Sequence, residues 1–316
     1  MFSLLILTAF TVAIASSLPW FDSHSDDDEP DDREPLPVGP IPDEDDGEEP
    51  GPVDPLPDDD GEEPEPAGPI MLEDGDTITG DDDADTYLAV REDGGYETYS
   101  VTLDAGGGDD TVDADLGMST VLGGAGNDQL RVSGLDLVVD GGAGNDELTG
   151  TAYYTYSKYF GGDGDDHLSL VLGDGGISID GGAGDDVITL QTPAGGSEYD
   201  NFYGGTITTG TGADFVTIAA SPAYSTTEEG ETYLGNYSPF VDITDFDPTE
   251  DMLGVEVTET PGRELHHIEV LQNDDSTDVV LFFNTPNPDY LQEETISLRG
   301  TTGLTVDDIF VLRVAA

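Results

Sequence analysis

Between residues 80 and 217 the chain returns seven times to a glycine-rich hexad that closes on aspartate. Aligned, the copies read GDDDADTYL from Gly80, AGGGDDTVD from Ala105, GGAGNDQLR from Gly123, GGAGNDELT from Gly141, GGDGDDHLS from Gly161, GGAGDDVIT from Gly181 and TGTGADFVT from Thr209. The sixth place is always Asp: Asp85, Asp110, Asp128, Asp146, Asp166, Asp186 and Asp214. The eighth is always apolar or aromatic: Tyr87, Val112, Leu130, Leu148, Leu168, Ile188 and Val216. A second apolar register lies two residues before each copy, at Ile78, Leu103, Val121, Val139, Tyr159, Ile179 and Ile207. The stretches between are polar and β-branched, so the chain reads as short strands joined by hexad bends, with each strand sending one register inward. From Ala105 onward successive copies start 18, 18, 20, 20 and 28 residues apart, after a first step of 25. Eighteen residues make one circuit of bend, strand, opposite bend and strand. The expected fold is all-β: a flattened parallel solenoid with the motif bends stacked on one side, strands about 4.8 Å apart, and the extra residues near 191–201 bulging as a loop.

Stacking creates an electrostatic conflict. Asp128 falls one strand spacing from Asp110 on one side and Asp146 on the other, and like charges about 5 Å apart repel by roughly 1 kcal/mol even in water. A cation between the bends reverses the sign. The chain has no cysteine, so any metal must take oxygen or imidazole ligands. Calcium suits a row of carboxylates and carbonyls, being a hard ion with six to eight oxygen ligands in flexible geometry; magnesium, strictly octahedral and slow to lose water, suits it less. The glycines fit the same picture, because a bend that aims several carbonyls inward needs positive φ and no Cβ.

Four copies, GGAGNDQLR, GGAGNDELT, GGDGDDHLS and GGAGDDVIT, match every defined position of GGxGxDxUx. Residues 80–217 thus resemble the repeats-in-toxin (RTX, hemolysin-type) calcium-binding family. The resemblance implies a right-handed parallel β-roll in which two bends one circuit apart share each ion. Their sixth-place Asp would be the carboxylate ligands, and carbonyls of the Gly positions would complete the shell. Carried over, the ligand pairs are Asp110/Asp128, Asp128/Asp146, Asp146/Asp166 and Asp166/Asp186. The carbonyls are those of Gly106, Gly108, Gly123, Gly124, Gly126, Gly141, Gly142, Gly144, Gly161, Gly162, Gly164, Gly181, Gly182 and Gly184. Asp186/Asp214 spans the longest insertion, and Asp85 has lost its glycines to Asp81 and Asp83. The motif recurs every 18 residues rather than every nine, so the expected array is one-sided, with about four to six Ca²⁺. The fifth-place residues Asp109, Asn127, Asn145, Asp165 and Asp185 read as solvated bend positions.

The rest of the chain divides around this array. Residues 1–21 are apolar from Phe2 to Ala15 and read as a secretory signal or a retained membrane anchor. Residues 22–70 form a tether, with 21 acidic residues and 11 Pro between Asp22 and Pro66, too polar to offset its ordering entropy. The roll spans 71–220. Residues 221–316 carry apolar alternation expected to give an antiparallel β cap; its IxDFxPxxD stretch from Ile243 and its DDIFVL ending resemble the C-terminal domain of serralysin-like proteins and a type I export signal. Lys and Arg total 7 against 71 Asp and Glu, a formal charge of −64, which leaves no basic surface for nucleic acid. There is no HExxH; the adjacent His266 and His267 would face opposite sides of a strand, His167 and His24 are isolated, and no triad emerges, so the chain is expected not to be an enzyme. The reading is a calcium-binding roll folded by extracellular Ca²⁺, placed outside or on the surface of a bacterial cell. The alternative is a calcium-dependent adhesin or matrix protein binding polysaccharide, with the Tyr-rich segment Tyr153, Tyr154, Tyr156 and Tyr159 as a contact surface.

Overall fold

A computed structural model of the chain describes residues 68–89, 98–153, 155–173, 175–192, 204–220, 225–226, 232–233, 240–259, 264–285 and 291–315. The leader, the tether to residue 67 and most of the 191–201 loop lie outside them. The described residues fall within one compact unit, 63–316.

Nearly every described element is a strand, and all but two of the strands assemble into two eleven-stranded sheets; Ser225–Thr226 and Thr232–Tyr233 pair only with each other. Consecutive strands alternate between the sheets across each hexad. Thr120–Ala125 belongs to one, Gln129–Leu135 to the other, and Val138–Ala143 returns to the first. Within a sheet the neighbour is the strand one circuit away, and the pairing is parallel. This is a parallel β-roll.

The register is the one that the two apolar positions dictate. Tyr87, Val112, Leu130, Leu148, Leu168, Ile188 and Val216 pair successively across one sheet. Ile78, Leu103, Val121, Val139, Tyr159, Ile179 and Ile207 do so across the other. All but Ile78 are buried, and both ladders belong to one hydrophobic cluster. A slip of one residue would turn an entire ladder outward, which is why pairing is so tightly specified. Tyr159 shows how a large ring is fitted in. It is 1% exposed, its hydroxyl donates to the Val132 carbonyl at 2.9 Å, and it reaches Gly150, where a Cβ would lie 3.1 Å from that hydroxyl. Tyr159 is therefore a core residue rather than part of a contact surface. Tyr153 and Tyr156 are exposed, and Tyr154 lies outside the described residues.

The parallel stack begins at Ile70, which pairs with Tyr87, and it continues beyond residue 220. Val216 pairs with Leu253 and Leu253 with Ile309, while Ile207 pairs with Ile243 and Ile243 with Leu298, all in parallel. Among the described residues antiparallel pairing is found in a meander of Leu265–Gln272, Ser276–Asn284 and Leu291–Arg299 and in a small hairpin of Ser225–Thr226 with Thr232–Tyr233. Apolar alternation gives a strand but not its direction, so the sequence-based antiparallel cap holds for these strands and not for those that extend the parallel stack. A bulge between Leu265 and His267 also breaks simple alternation. It brings the Nδ1 atoms of His266 and His267 within 2.6 Å of each other, where an unbroken strand would set them on opposite faces.

The bends opposite the hexads are short. Met118 and Asp136 take φ of 50° and 54° there. The buried hydroxyls of Ser119 and Ser157 accept the backbone N–H groups of Val101 and Leu137, one circuit earlier. Leu168 sits mid-ladder with no exposed surface, so Leu168→Ala is expected to lower the folding free energy by about 2–5 kcal/mol, read from urea unfolding followed by far-UV circular dichroism.

Candidate metal centre

Each hexad bend lies so close to the bend of the previous circuit that side chains are excluded at two positions. Gly124 and Gly126 have φ of 109° and 141°, and a Cβ on either would fall 2.1 Å from the Gly106 carbonyl oxygen or 1.8 Å from that of Gly108. With the backbones in contact, the sixth-place aspartates turn inward. Asp110, Asp128, Asp146, Asp166, Asp186 and Asp214 are each only 1–2% exposed.

Their two carboxylate oxygens have different surroundings. One of them builds a ladder: the N–H of Asp110 donates to Oδ1 of Asp128, Asp128 to Asp146, Asp146 to Asp166, Asp166 to Asp186 and Asp186 to Asp214, at 2.8–2.9 Å. The other oxygen, Oδ2, is buried with no hydrogen-bond partner in all six residues. A buried carboxylate oxygen left so is costly. Burial accordingly raises these groups from the ordinary carboxylate range, to about 6 for Asp110, Asp146, Asp166 and Asp214 and about 7 for Asp186, with neighbouring carboxylates adding to the effect, those of the row itself in most cases and Asp165 and Asp163 for Asp166; Asp128 is raised for the same reasons. Keeping such a group charged at neutral pH therefore opposes folding.

The orphaned oxygens face a second oxygen. A Cβ placed on Gly123 would lie 2.4 Å from Oδ2 of Asp128 and 2.5 Å from the carbonyl oxygen of Gly141. The same holds at Gly141 for Asp146 and the Gly161 carbonyl, at Gly161 for Asp166 and the Gly181 carbonyl, and at Gly181 for Asp186 and the Thr209 carbonyl, at 2.3–2.5 Å. Four equivalent cradles thus pair one inward carboxylate with the first carbonyl of the next hexad, and glycine at the first place keeps each open. The donor set is all oxygen, which fits a hard cation. Of the expected glycine carbonyls, those of Gly141, Gly161 and Gly181 face a carboxylate in this way, whereas that of Gly106 accepts the Ala125 N–H. Asp110 and Asp214 have Ala105 and Thr209 in place of the first glycine. Among the described residues no three His, Asp or Glu side chains converge as a metal cluster, so any ion here would depend on backbone carbonyls.

Both ends of the row are closed by protein groups. Asp85 is half-buried; its N–H continues the ladder to Asp110, but its Oδ2 accepts the Tyr87 hydroxyl at 3.2 Å. That hydroxyl also lies 2.5 Å from where a Cβ on Gly80 would be, the place taken elsewhere by Oδ2. Asp85 is therefore a capped end and does not match the other six. At the far end Asp251, outside the repeats, accepts the Asp214 N–H through Oδ1, and its Oδ2 takes the Asp247 N–H and the Thr209 hydroxyl. Asp245 accepts the N–H groups of Thr209 and Gly210. The sequence singled out the stretch holding Asp245 and Asp251 but not this role, because its 37-residue step from Asp214 breaks the period.

The fifth-place residues are not merely solvated. The N–H of Asn127 donates to Oδ1 of Asp109, Asn145 to Asn127, Asp165 to Asn145, Asp185 to Asp165 and Ala213 to Asp185, at 2.8–3.0 Å. This exposed ladder runs opposite in sense to the buried one. It accounts for Asp or Asn at each place and for Ala213, the last, which only donates. Asn145→Ala should cost about 1 kcal/mol in urea unfolding. The buried row predicts a pH dependence. Its folded-state pKa values lie above those of the unfolded chain, so in a chelator its stabilising contribution is full below about pH 4 and is lost as pH rises through 6 to 7. Circular dichroism of the chelated chain should show β content falling over that interval. No protein-family model matches the chain, and no curated protein matches it significantly.

Proposed function

We propose that the chain is a calcium-binding β-roll of the repeats-in-toxin kind, whose folding is driven by extracellular Ca²⁺. The observation that carries this reading is the row of six buried carboxylate oxygens without a hydrogen-bond partner, four of them facing a carbonyl oxygen across a glycine. Asp128, Asp146, Asp166 and Asp186 would hold ions with the carbonyls of Gly141, Gly161, Gly181 and Thr209, and Asp110 and Asp214 would extend the row to as many as six. Calcium, when bound, supplies the positive charge that removes the cost of keeping these carboxylates ionised in a buried row.

The chain's own groups do the rest. Oδ1 of each aspartate fixes the spacing of successive bends, and Oδ2 is thereby aimed at the next hexad. The exposed ladder of Asp109 to Asp185 holds the bends stacked from outside. At low calcium and neutral pH the buried charges oppose the stack, while in millimolar calcium the binding free energy becomes folding free energy. Sites of the extracellular class, with affinities of about 10⁻⁴ to 10⁻³ M, would fill there. The formal charge of −64 suits such a switch, since it keeps the unfolded chain extended and soluble.

Calcium titration followed by circular dichroism tests the reading. The chain should pass from disordered to β as calcium rises to millimolar levels, and a chelated sample with full β content at pH 7.5 would sink the proposal. The double variant Asp146→Asn/Asp166→Asn keeps both Oδ1 acceptors but removes two charges. It should be more stable than the parent in chelator and less stable in 5 mM Ca²⁺, an inversion that a purely structural role for these residues does not produce.

A further inference from the structure

The meander carries a second set of metal-ligating side chains, chemically unlike the first. At the bulge between Leu265 and His267 the imidazoles of His266 and His267 meet edge to face, their centroids 4.8 Å and their Nδ1 atoms 2.6 Å apart. The His267 ring is held from two other sides. It stacks on Phe282 at 4.4 Å with an interplanar angle of 3°, and its Nε2 lies 3.2 Å from Oε1 of Glu269. The site is open to solvent: His266 and Glu269 are exposed, and His267 is partly so.

This arrangement fixes which nitrogen is available. With Nε2–H donating to Glu269, a neutral His267 has its lone pair on Nδ1, which accepts the Nδ1–H of His266; when a metal binds, that proton moves to Nε2 of His266 and frees its Nδ1. A carboxylate on the far nitrogen of a histidine is the partner that orients metal-bound imidazoles and raises their basicity. Two nitrogens bound at 2.0–2.1 Å and at a right angle on one ion are about 2.9 Å apart, so the pair needs to open by only a few tenths of an ångström to chelate. We propose that His266 and His267 bind a divalent transition metal ion of the Cu²⁺, Ni²⁺ and Zn²⁺ class through their Nδ1 atoms, with Glu269 as a positioning residue and water on the remaining coordination sites. Imidazole selects these ions over calcium, which takes oxygen ligands, so the site is independent of the aspartate row. The strongly negative chain raises the local concentration of any cation.

The probe is one equivalent of Cu²⁺ added to the full chain in saturating Ca²⁺, read by nitrogen superhyperfine coupling in electron paramagnetic resonance and by competition titration. Only four histidines exist, so two double variants divide them. His24→Ala/His167→Ala should retain a two-nitrogen copper centre. His266→Ala/His267→Ala should lose it and bind Cu²⁺ at least tenfold more weakly, with unchanged circular dichroism. Glu269→Gln should keep the nitrogen coupling but weaken binding about tenfold, as loss of an orienting partner does. Nitrogen coupling that persists in His266→Ala/His267→Ala, or that is missing in His24→Ala/His167→Ala, overturns the proposal. Unchanged copper affinity in Glu269→Gln removes Glu269 from it.

Discussion

The molecule is organised around the inward carboxylates of its bends. Each sixth-place aspartate from Asp110 to Asp214 gives one oxygen to the backbone of the neighbouring circuit and sends the other into a buried gap without a hydrogen-bond partner. The first interaction holds the stack together; the second opposes it. The remaining features of the bend follow from this pair. Glycine at the second and fourth places lets the circuits touch, glycine at the first place leaves room beside Oδ2, and Asp or Asn at the fifth place supplies a counter-running ladder on the outside.

The two edges of the roll solve the same stacking problem differently. On the far edge, Ser119 and Ser157 accept backbone N–H groups with neutral hydroxyls, so that edge folds without any counter-charge. On the hexad edge the acceptors are carboxylates, and burial raises their pKa values. The row also ends in neutral or fully bonded groups. Tyr87 satisfies Asp85, and Asp247 together with Thr209 satisfies Asp251. The conflict is thereby confined to Asp110 through Asp214.

Much of this was legible in the sequence because the repeat has a short, nearly constant period. Eighteen-residue spacing with two apolar registers gave the parallel stack, its register and the stacking of the sixth-place aspartates one strand spacing apart, though not their burial. What escaped lies where the period fails. Asp251 completes the aspartate ladder from outside any hexad, and Leu253, Ile309, Ile243 and Leu298 extend the apolar ladders into a region whose alternation alone does not fix strand direction. Tyr159 had two readings in the sequence, as a register residue two places before a hexad and as part of a tyrosine contact surface, and its burial bears out the first.

By itself, then, the sequence determined the repeat unit, the side on which charge accumulates and the absence of cysteine or basic surface, since these depend only on residue type and spacing. The division of labour between the two oxygens of each aspartate was decided by tertiary structure, as were the capped ends and the meeting of His266 with His267. Each depends on which backbone or ring lies one circuit or one bulge away, and that is settled only when distant segments pack.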